Sequence, residues 1–423
     1  LLFTPESRNL RKIFIAREEA TRKPETALTR PVQRVAVMGA GTMGGEIAYL
    51  LSSRGIRVRL RDLKPEPLLR SLAHARSLFD REVSRGRMTA AEFERALGRI
   101  EPTLDLSGLK RTDLLLEAVV EDLPVKQALF RELEGHVRDD CVLATNTSSL
   151  SVRAMAKGLK NPGRVVGMHF FNPAVRMPLV EVIRTEAGDS AALGTVIALA
   201  RRLGKTPVLV SDAPGFLVNR VLMPYLGEAV GLIERGYPPR GVDRALRSFG
   251  MPLGPLELLD EIGLDVARKV AHVLHDAFGS RIAPVTLLDQ LVAAGALGKK
   301  SGLGFYSYEK GRRHSVNPEF ESTASRAGTA RSQDLVDRLV DAMVNEAALA
   351  LEERVVASPG DVDLAMVLGT GFPPFRGGLL RHADATGIGG IVERLTRRQQ
   401  EGAPAGPCGR LQQMALSGRR FYE

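Results

Sequence analysis

A histidine oriented by a carboxylate is the smallest unit that removes a proton near neutral pH. The stretch from Val166 to Ile183, V-G-M-H-F-F-N-P-A-V-R-M-P-L-V-E-V-I, offers such a pair in His169 and Glu181. It reads as two short apolar strands, each delivering one polar side chain. The connection between them, with Asn172-Pro173 and Met177-Pro178, brings the second strand back beside the first. The carboxylate would fix the tautomer and stabilise the imidazolium that forms. Taken alone, the pair also reads as a core histidine and an exposed strand glutamate. The elements around it bear on the choice.

Arg34 to Gly39 reads as a buried strand of the parallel-sheet kind, apolar without clean alternation. It runs into Gly39-Ala40-Gly41-Thr42-Met43-Gly44 and then into helical spacing at Ile47, Leu50 and Leu51. A second strand, Ile56 to Leu60, ends at Asp62, an acid roughly 20 residues past the motif, as a dinucleotide site requires. The first glycine permits the tight turn, the second lets backbone approach a pyrophosphate, and the third lets helix pack on strand. The helix N-terminus supplies donors to the phosphates. Asp62 favours NAD over NADP, because its carboxylate would bond the ribose hydroxyls and repel a 2′-phosphate. Arg61 and Lys64 beside it read as surface charges.

Helices are expected over Leu68–Ser84 and Thr89–Leu97, with Thr89-Ala90-Ala91-Glu92 in the form of a capping box. A strand over Thr112–Glu117 follows, then a helix over Pro124–His136 and a strand over Cys141–Thr145. In a doubly wound sheet, ligands bind beyond the carboxyl ends of the strands. Glu121, Asn146 and Ser148 fall there by topology, as does His169. Ser148 also reads as the N-cap of a helix from Val152. Strands opening at Arg164 and Leu179, a helix over Ala191–Leu203 and a strand over Pro207–Val210 complete an α/β domain from 31 to 211.

After Ser211 the pattern is helical throughout. Asp212-Ala213-Pro214 reads as a cap with proline in the first turn. The helix after it carries Asn219 among apolar neighbours, where a satisfied core amide and a ligand contact are both open. A faint repeat relates Gly227–Glu234 to Asn345–Glu352, each copy followed by Val-Asp and a Gly/Pro turn. The expected divisions are a helical unit at 212–310, a polar linker at 311–332 and a second helical unit at 333–423. Ahead of the α/β domain, residues 1–30 read as an amphipathic helix over Ser7–Ala20 followed by a polar stretch from Thr21 to Pro31.

The chain has 423 residues, 26% of them charged, with two cysteines and a formal charge of +10. That length suits two or three domains, and two cysteines exclude a disulfide framework and suit a reducing compartment. No apolar run of about 18 residues suggests a membrane span. The excess charge is spread along the chain, and aromatics are 5%. A nucleic-acid stacking surface is therefore not expected. A basic enzyme handling polyphosphate ligands accounts for the balance. His272 and His275 lie one helical turn apart without a third ligand, so a metal site is not expected.

Together, Gly39–Gly44 with Asp62, Asn146-Thr147-Ser148-Ser149-Leu150, Met168–Pro173, Asp212–Arg220 and Gly302-Leu303-Gly304-Phe305-Tyr306 resemble the L-3-hydroxyacyl-CoA dehydrogenase family. Gly371-Phe372-Pro373-Pro374-Phe375-Arg376-Gly377-Gly378 is similar to the second C-terminal repeat of multifunctional fatty-acid-oxidation proteins. In those, an enoyl-CoA hydratase domain precedes the dehydrogenase, and Thr4–Leu10 resembles the helix that joins the two.

The resemblance implies an NAD-binding Rossmann domain, doubly wound and mostly parallel, followed by two tandem helical units. It implies oxidation of 3-hydroxyacyl-CoA, with His169 as general base, Glu181 orienting it, and Ser148 and Asn219 bonding substrate oxygens. Glu121 and Lys126 match family positions near the nicotinamide half of the cofactor, and Asn146 is assigned to the same site. The acyl-CoA is expected between the α/β and helical domains, and a thiolase subunit is the implied partner. Because single-repeat relatives dimerise through the helical domain, the second repeat is expected to take the dimer partner's place and leave the dehydrogenase unit monomeric. A bacterial-type cytoplasmic setting is expected, with an organellar one as the alternative. The competing readings are another Rossmann hydroxy-acid dehydrogenase, which leaves the His169–Glu181 hairpin unexplained, and a non-catalytic NAD-binding protein.

Overall fold

The computed structural model describes residues 3–22, 29–282, 286–321 and 331–422. It divides into a sheet unit, Arg17–Ala213, and a helical unit formed by Leu1–Ala16 with Pro214–Glu423. The polar stretch expected from Thr21 to Pro31 lies mostly outside the described residues, and so does the later part of the expected 311–332 linker.

The sheet unit is built on β1 (Arg34–Met38), β2 (Arg57–Arg61), β3 (Ile100–Thr103), β4 (Leu114–Glu117), β5 (Val142–Thr145), β6 (Val165–Phe170), β7 (Leu179–Arg184) and β8 (Thr206–Ser211). Across the sheet the order is β3, β2, β1, β4, β5, β6, β7, β8. Strands β3 to β6 run parallel, whereas β7 is antiparallel to β6 and carries β8 with it. This is the expected doubly wound, mostly parallel sheet. The inner strands read as apolar runs because helices cover both faces, and β4, β5 and β6 are buried at every position. Chain direction across the sheet reverses between β1 and β4, which opens a crevice at their carboxyl ends. Strand β3 has no counterpart in the sequence reading. It is a four-residue edge strand, I-E-P-T, whose middle residues are exposed and whose Pro102 belongs to such an edge.

In the helical unit the expectation of helices alone needs correction. Tyr306–Glu309 and Arg312–Val316 form an antiparallel hairpin, β9 and β10, and a short helix follows at Pro318–Glu321. The polar, exposed side chains of β10 hid the strand pattern, and its turn sits at Lys310 and Gly311, both at positive φ. Asp212 was expected to cap the helix after it, but that helix begins only at Val218. Gly215 and Phe216 sit at φ 69° and 52°, which a helix does not allow. Asp212 instead accepts from Ser151 Oγ at 2.8 Å, Val152 N at 3.0 Å and Arg153 N at 2.8 Å, so it caps the Val152–Met155 helix. The N-cap residue of that helix is Ser151, not Ser148.

The faint repeat becomes detailed. Leu217-Val218-Asn219-Arg220-Val221-Leu222 opens the Val218–Glu234 helix, and Leu335-Val336-Asp337-Arg338-Leu339-Val340 lies in the Ser332–Glu352 helix. Arg220 Nε reaches Glu346 Oε1 at 2.6 Å, and Arg338 Nε reaches Glu228 Oε2 at 2.5 Å. In each pair the arginine of one copy meets the glutamate of the other, the reciprocity of a two-fold interface. In the first copy Asp243 accepts from Leu256 N, Glu257 N and the Tyr306 hydroxyl. In the second, Asp363 accepts from Leu380 N, Arg381 N and the Tyr422 hydroxyl. A Cβ on Gly254 would stand 2.4 Å from Asp243 Oδ1, and one on Gly378 2.7 Å from Asp363 Oδ1. Both turns therefore need glycine.

Candidate active site

The glycine turn after β1 behaves as its spacing predicts. Gly39 has φ 103°, and a Cβ there would lie 2.5 Å from Ala118 O; one on Gly44 would lie 1.8 Å from Gly39 O. A Cβ on Gly41 would meet nothing within 4 Å. Two glycines are thus required by the protein's own packing, while the middle one opens onto free space beside the N-terminus of the Thr42–Ser53 helix, where Thr42 and Met43 form its first turn. Asp62, just past β2, is fixed by backbone donors: Ala40 N to Oδ2 at 2.8 Å and Leu63 N to Oδ1 at 2.7 Å. An open helix N-terminus with an anchored carboxylate at the next strand end fits an NAD pyrophosphate and adenosine ribose.

His169 and Glu181 are direct partners across the antiparallel β6–β7 ladder. His169 Nδ1 stands 2.8 Å from Glu181 Oε2. The histidine is 5% exposed and the glutamate fully buried, which removes the reading of Glu181 as an exposed strand residue. In a neutral imidazole, a carboxylate at Nδ1 favours the tautomer with its proton there and its lone pair on Nε2. Phe171 packs on the imidazole at 4.5 Å between ring centres. Asn146 ties this strand end to its neighbour, its Oδ1 accepting from Phe170 N at 2.8 Å.

A second ionic network lies at the ends of β4 and β5. Glu121 Oε1 accepts from Thr147 Oγ1 at 2.7 Å, Ser148 N at 2.8 Å, Ser148 Oγ at 3.0 Å and Ser149 N at 3.2 Å. Burial works against its ionisation, but the Lys126 ammonium and the Thr147 and Ser148 donors outweigh it and hold the carboxyl below its usual range. Lys126, assigned from the sequence to the cofactor, belongs to the same network. It is 1% exposed, with Nζ 2.6 and 2.8 Å from the two Glu117 oxygens and 3.2 Å from Glu121 Oε2. Its charge pairs with both carboxylates. Glu117 escaped the sequence reading. It is fully buried and also receives Val119 N and Thr145 Oγ1, which makes it the anchor of the network. The one available signal was an acid closing an otherwise apolar strand, T-D-L-L-L-E. Asn219 lies in the helical unit, half-buried in the first turn of the Val218–Glu234 helix.

The family model for the 3-hydroxyacyl-CoA dehydrogenase NAD-binding domain matches residues 34–213. The C-terminal domain model of that family matches twice, over 215–308 and 335–420. The chain belongs to the 3-hydroxyacyl-CoA dehydrogenase family. It is 39% identical over 432 aligned positions to the fatty acid oxidation complex subunit alpha of Psychrobacter arcticus, covering 99% of this chain and 60% of that protein. It therefore spans about 60% of the length of such curated relatives. The crystal structure of 3-hydroxybutyryl-CoA dehydrogenase from Escherichia coli superposes with a TM-score of 0.80 at 33% identity, covering 92% of this chain and all of that one. The (S)-3-hydroxybutyryl-CoA dehydrogenase PaaH1 from Ralstonia eutropha gives 0.64 at 36% identity and covers 66% of this chain and all of its own. No helix among the described residues is long and apolar enough to cross a membrane.

Proposed function

We propose that this dehydrogenase-family chain oxidises L-3-hydroxyacyl-CoA to 3-ketoacyl-CoA in fatty-acid β-oxidation. The observation that carries the reading is the buried His169–Glu181 pair, 2.8 Å apart, in the same unit as the Gly39–Gly44 turn. NAD bound at that turn supplies the hydride acceptor. As hydride leaves C3, His169 Nε2 takes the C3 hydroxyl proton, and Glu181 stabilises the imidazolium that results. Ser148, whose Oγ bonds Glu121, and Asn219 are assigned to hydrogen bonds with the substrate oxygens. In the reverse direction the same imidazolium returns the proton.

NADH consumption with acetoacetyl-CoA tests the assignment. His169→Ala is expected to lower kcat by about 10³-fold, in the range of general acid–base catalysis. An inactive wild type or an undiminished variant refutes it.

The reciprocal Arg220–Glu346 and Arg338–Glu228 pairs support a dehydrogenase unit that is monomeric because its second repeat stands where a dimer partner would. Light scattering on size-exclusion fractions tests this; a homodimer through residues 212–308 overturns it. An upstream enoyl-CoA hydratase module and a thiolase subunit are the implied companions, since the relatives named as complex subunits are longer than this chain. A bacterial cytoplasmic setting accords with two unpaired cysteines, Cys141 and Cys408, both buried.

A further inference from the structure

The connection between β6 and β7 determines whether His169 and Glu181 face each other, and two buried charges hold it. Lys205, just before β8, is 4% exposed. Its Nζ donates to Ala174 O and, at 2.7 Å, to Met177 O, both within the turn between the strands. Glu46, on the Thr42–Ser53 helix, is 5% exposed, and its Oε2 accepts from Val175 N at 3.2 Å, inside the same turn. Burial pulls the Lys205 ammonium down to about 8, against the field of Glu46, which favours its charge, and with that of Arg54, which does not. His74 faces the other Glu46 oxygen at 3.6 Å. A buried ammonium resting on two carbonyls costs more than an apolar side chain of its size, so packing alone does not account for it.

We propose that Lys205 and Glu46 are positioning residues that register the His169–Glu181 hairpin against the glycine-turn helix. Glu46 sits on the helix whose first turn would receive the pyrophosphate, and it grips the turn that follows the base's strand. Lys205 grips that turn at the two carbonyls flanking Glu46's contact. The pair thereby fixes how far the proton acceptor stands from the dinucleotide, and hydride transfer is sensitive to misplacements of about 1 Å. The inference rests on the catalytic reading of His169.

Lys205→Met and Glu46→Gln are each measured in the wild type and in a His169→Ala background, whose own rate against the wild type is the control. In the wild type, Lys205→Met is expected to lower kcat about 10-fold with KM for NADH changed less than about twofold. In the His169→Ala background the same change is expected to cost less than about twofold, because the proton acceptor whose distance it sets is already gone. Glu46→Gln keeps an acceptor for Val175 N but removes the charge facing Lys205, and is expected to cost about threefold with the same non-additivity. It carries the test if Lys205→Met does not fold. Equal fold losses in both backgrounds overturn the proposal, leaving the two residues as stabilisers of the sheet unit. An undiminished His169→Ala overturns the catalytic reading and the proposal with it; a His169→Ala slowed about 10³-fold, with additive losses, overturns the proposal alone.

Discussion

The two helical repeats keep the same scaffold and part company at the position assigned to the substrate. Both use a buried aspartate, Asp243 or Asp363, to receive two helix N–H groups and a tyrosine hydroxyl, and both place an arginine where it crosses to the other copy. Yet where the first copy has Asn219, the second has Asp337, which takes Gln333 Nε2 at 2.6 Å and lies 3.8 Å from Arg394. Hydrogen bonds that define the fold are duplicated, while the amide assigned to the substrate is not. A repeat freed from the chemistry still has to supply its half of the interface.

The sharpest way to break that comparison is to change the differing position in each copy. Asn219→Ala is expected to lower kcat/KM for acetoacetyl-CoA by about 10²-fold, the loss typical of removing one donor from a developing oxyanion. Asp337→Ala is expected to stay within about twofold. Steady-state assays of both variants decide it, and comparable losses would mean the second repeat shares in the chemistry.

The interface arginines come next. Arg220 is fully buried, lies 4.7 Å from the Phe278 ring centre and also meets Glu353 at 2.8 Å, whereas the Arg338 side chain is 19% exposed. Arg220→Met takes the shorter of two guanidinium contacts from the buried Glu346, leaving Arg281 Nη2 at 3.1 Å, and is expected to cost about 2 kcal/mol. Arg338→Met is expected to cost about 1 kcal/mol or less, since water reaches the pair. Urea unfolding with both variants measures the gap, and equal costs would make the interface symmetric in energy as well as in pairing.

What the residues revealed in advance follows from how local each signal is. The glycine turn and Asp62 lie on one continuous strand–turn–helix–strand, so period and spacing expose them. The His169–Glu181 pair is legible because a single turn joins its strands. Glu117 is not, since its partner Lys126 comes nine residues later and only the fold shows that both are buried. The helix cap at Ser151 was blurred by Thr147, Ser148 and Ser149 just before it, any of which has the right side chain. Asp212 was misread because its neighbours suggested the next helix, while its donors come from residues about 60 positions earlier. The Val-Asp pairs signalled a repeat, but nothing local announced that Tyr306 and Tyr422 would close on them.

The smallest effect separates the two aspartates that the repeats share. Burial pushes the Asp363 carboxyl up from its ordinary 3.8 to about 7, even against donors from Tyr422, Leu380 and Arg381. Burial pushes Asp243 up to only about 6, with Leu256, Tyr306 and Glu257 opposing. A carboxyl raised on folding binds its proton more tightly in the native state. Its stabilising contribution is therefore full below about pH 4 and is lost as pH rises through the folded value. For Asp363 that loss runs from about pH 4 to 7, and for Asp243 from about pH 4 to 6. Between pH 6 and 8 the wild type should lose roughly 1 kcal/mol relative to Asp363→Asn, but only about 0.4 kcal/mol relative to Asp243→Asn. Thermal unfolding of the three proteins at pH 6 and pH 8 reads the difference as a few degrees at most for Asp363 and less for Asp243. If the two variants respond alike, the two aspartates are equivalent in electrostatics as well as in hydrogen bonding.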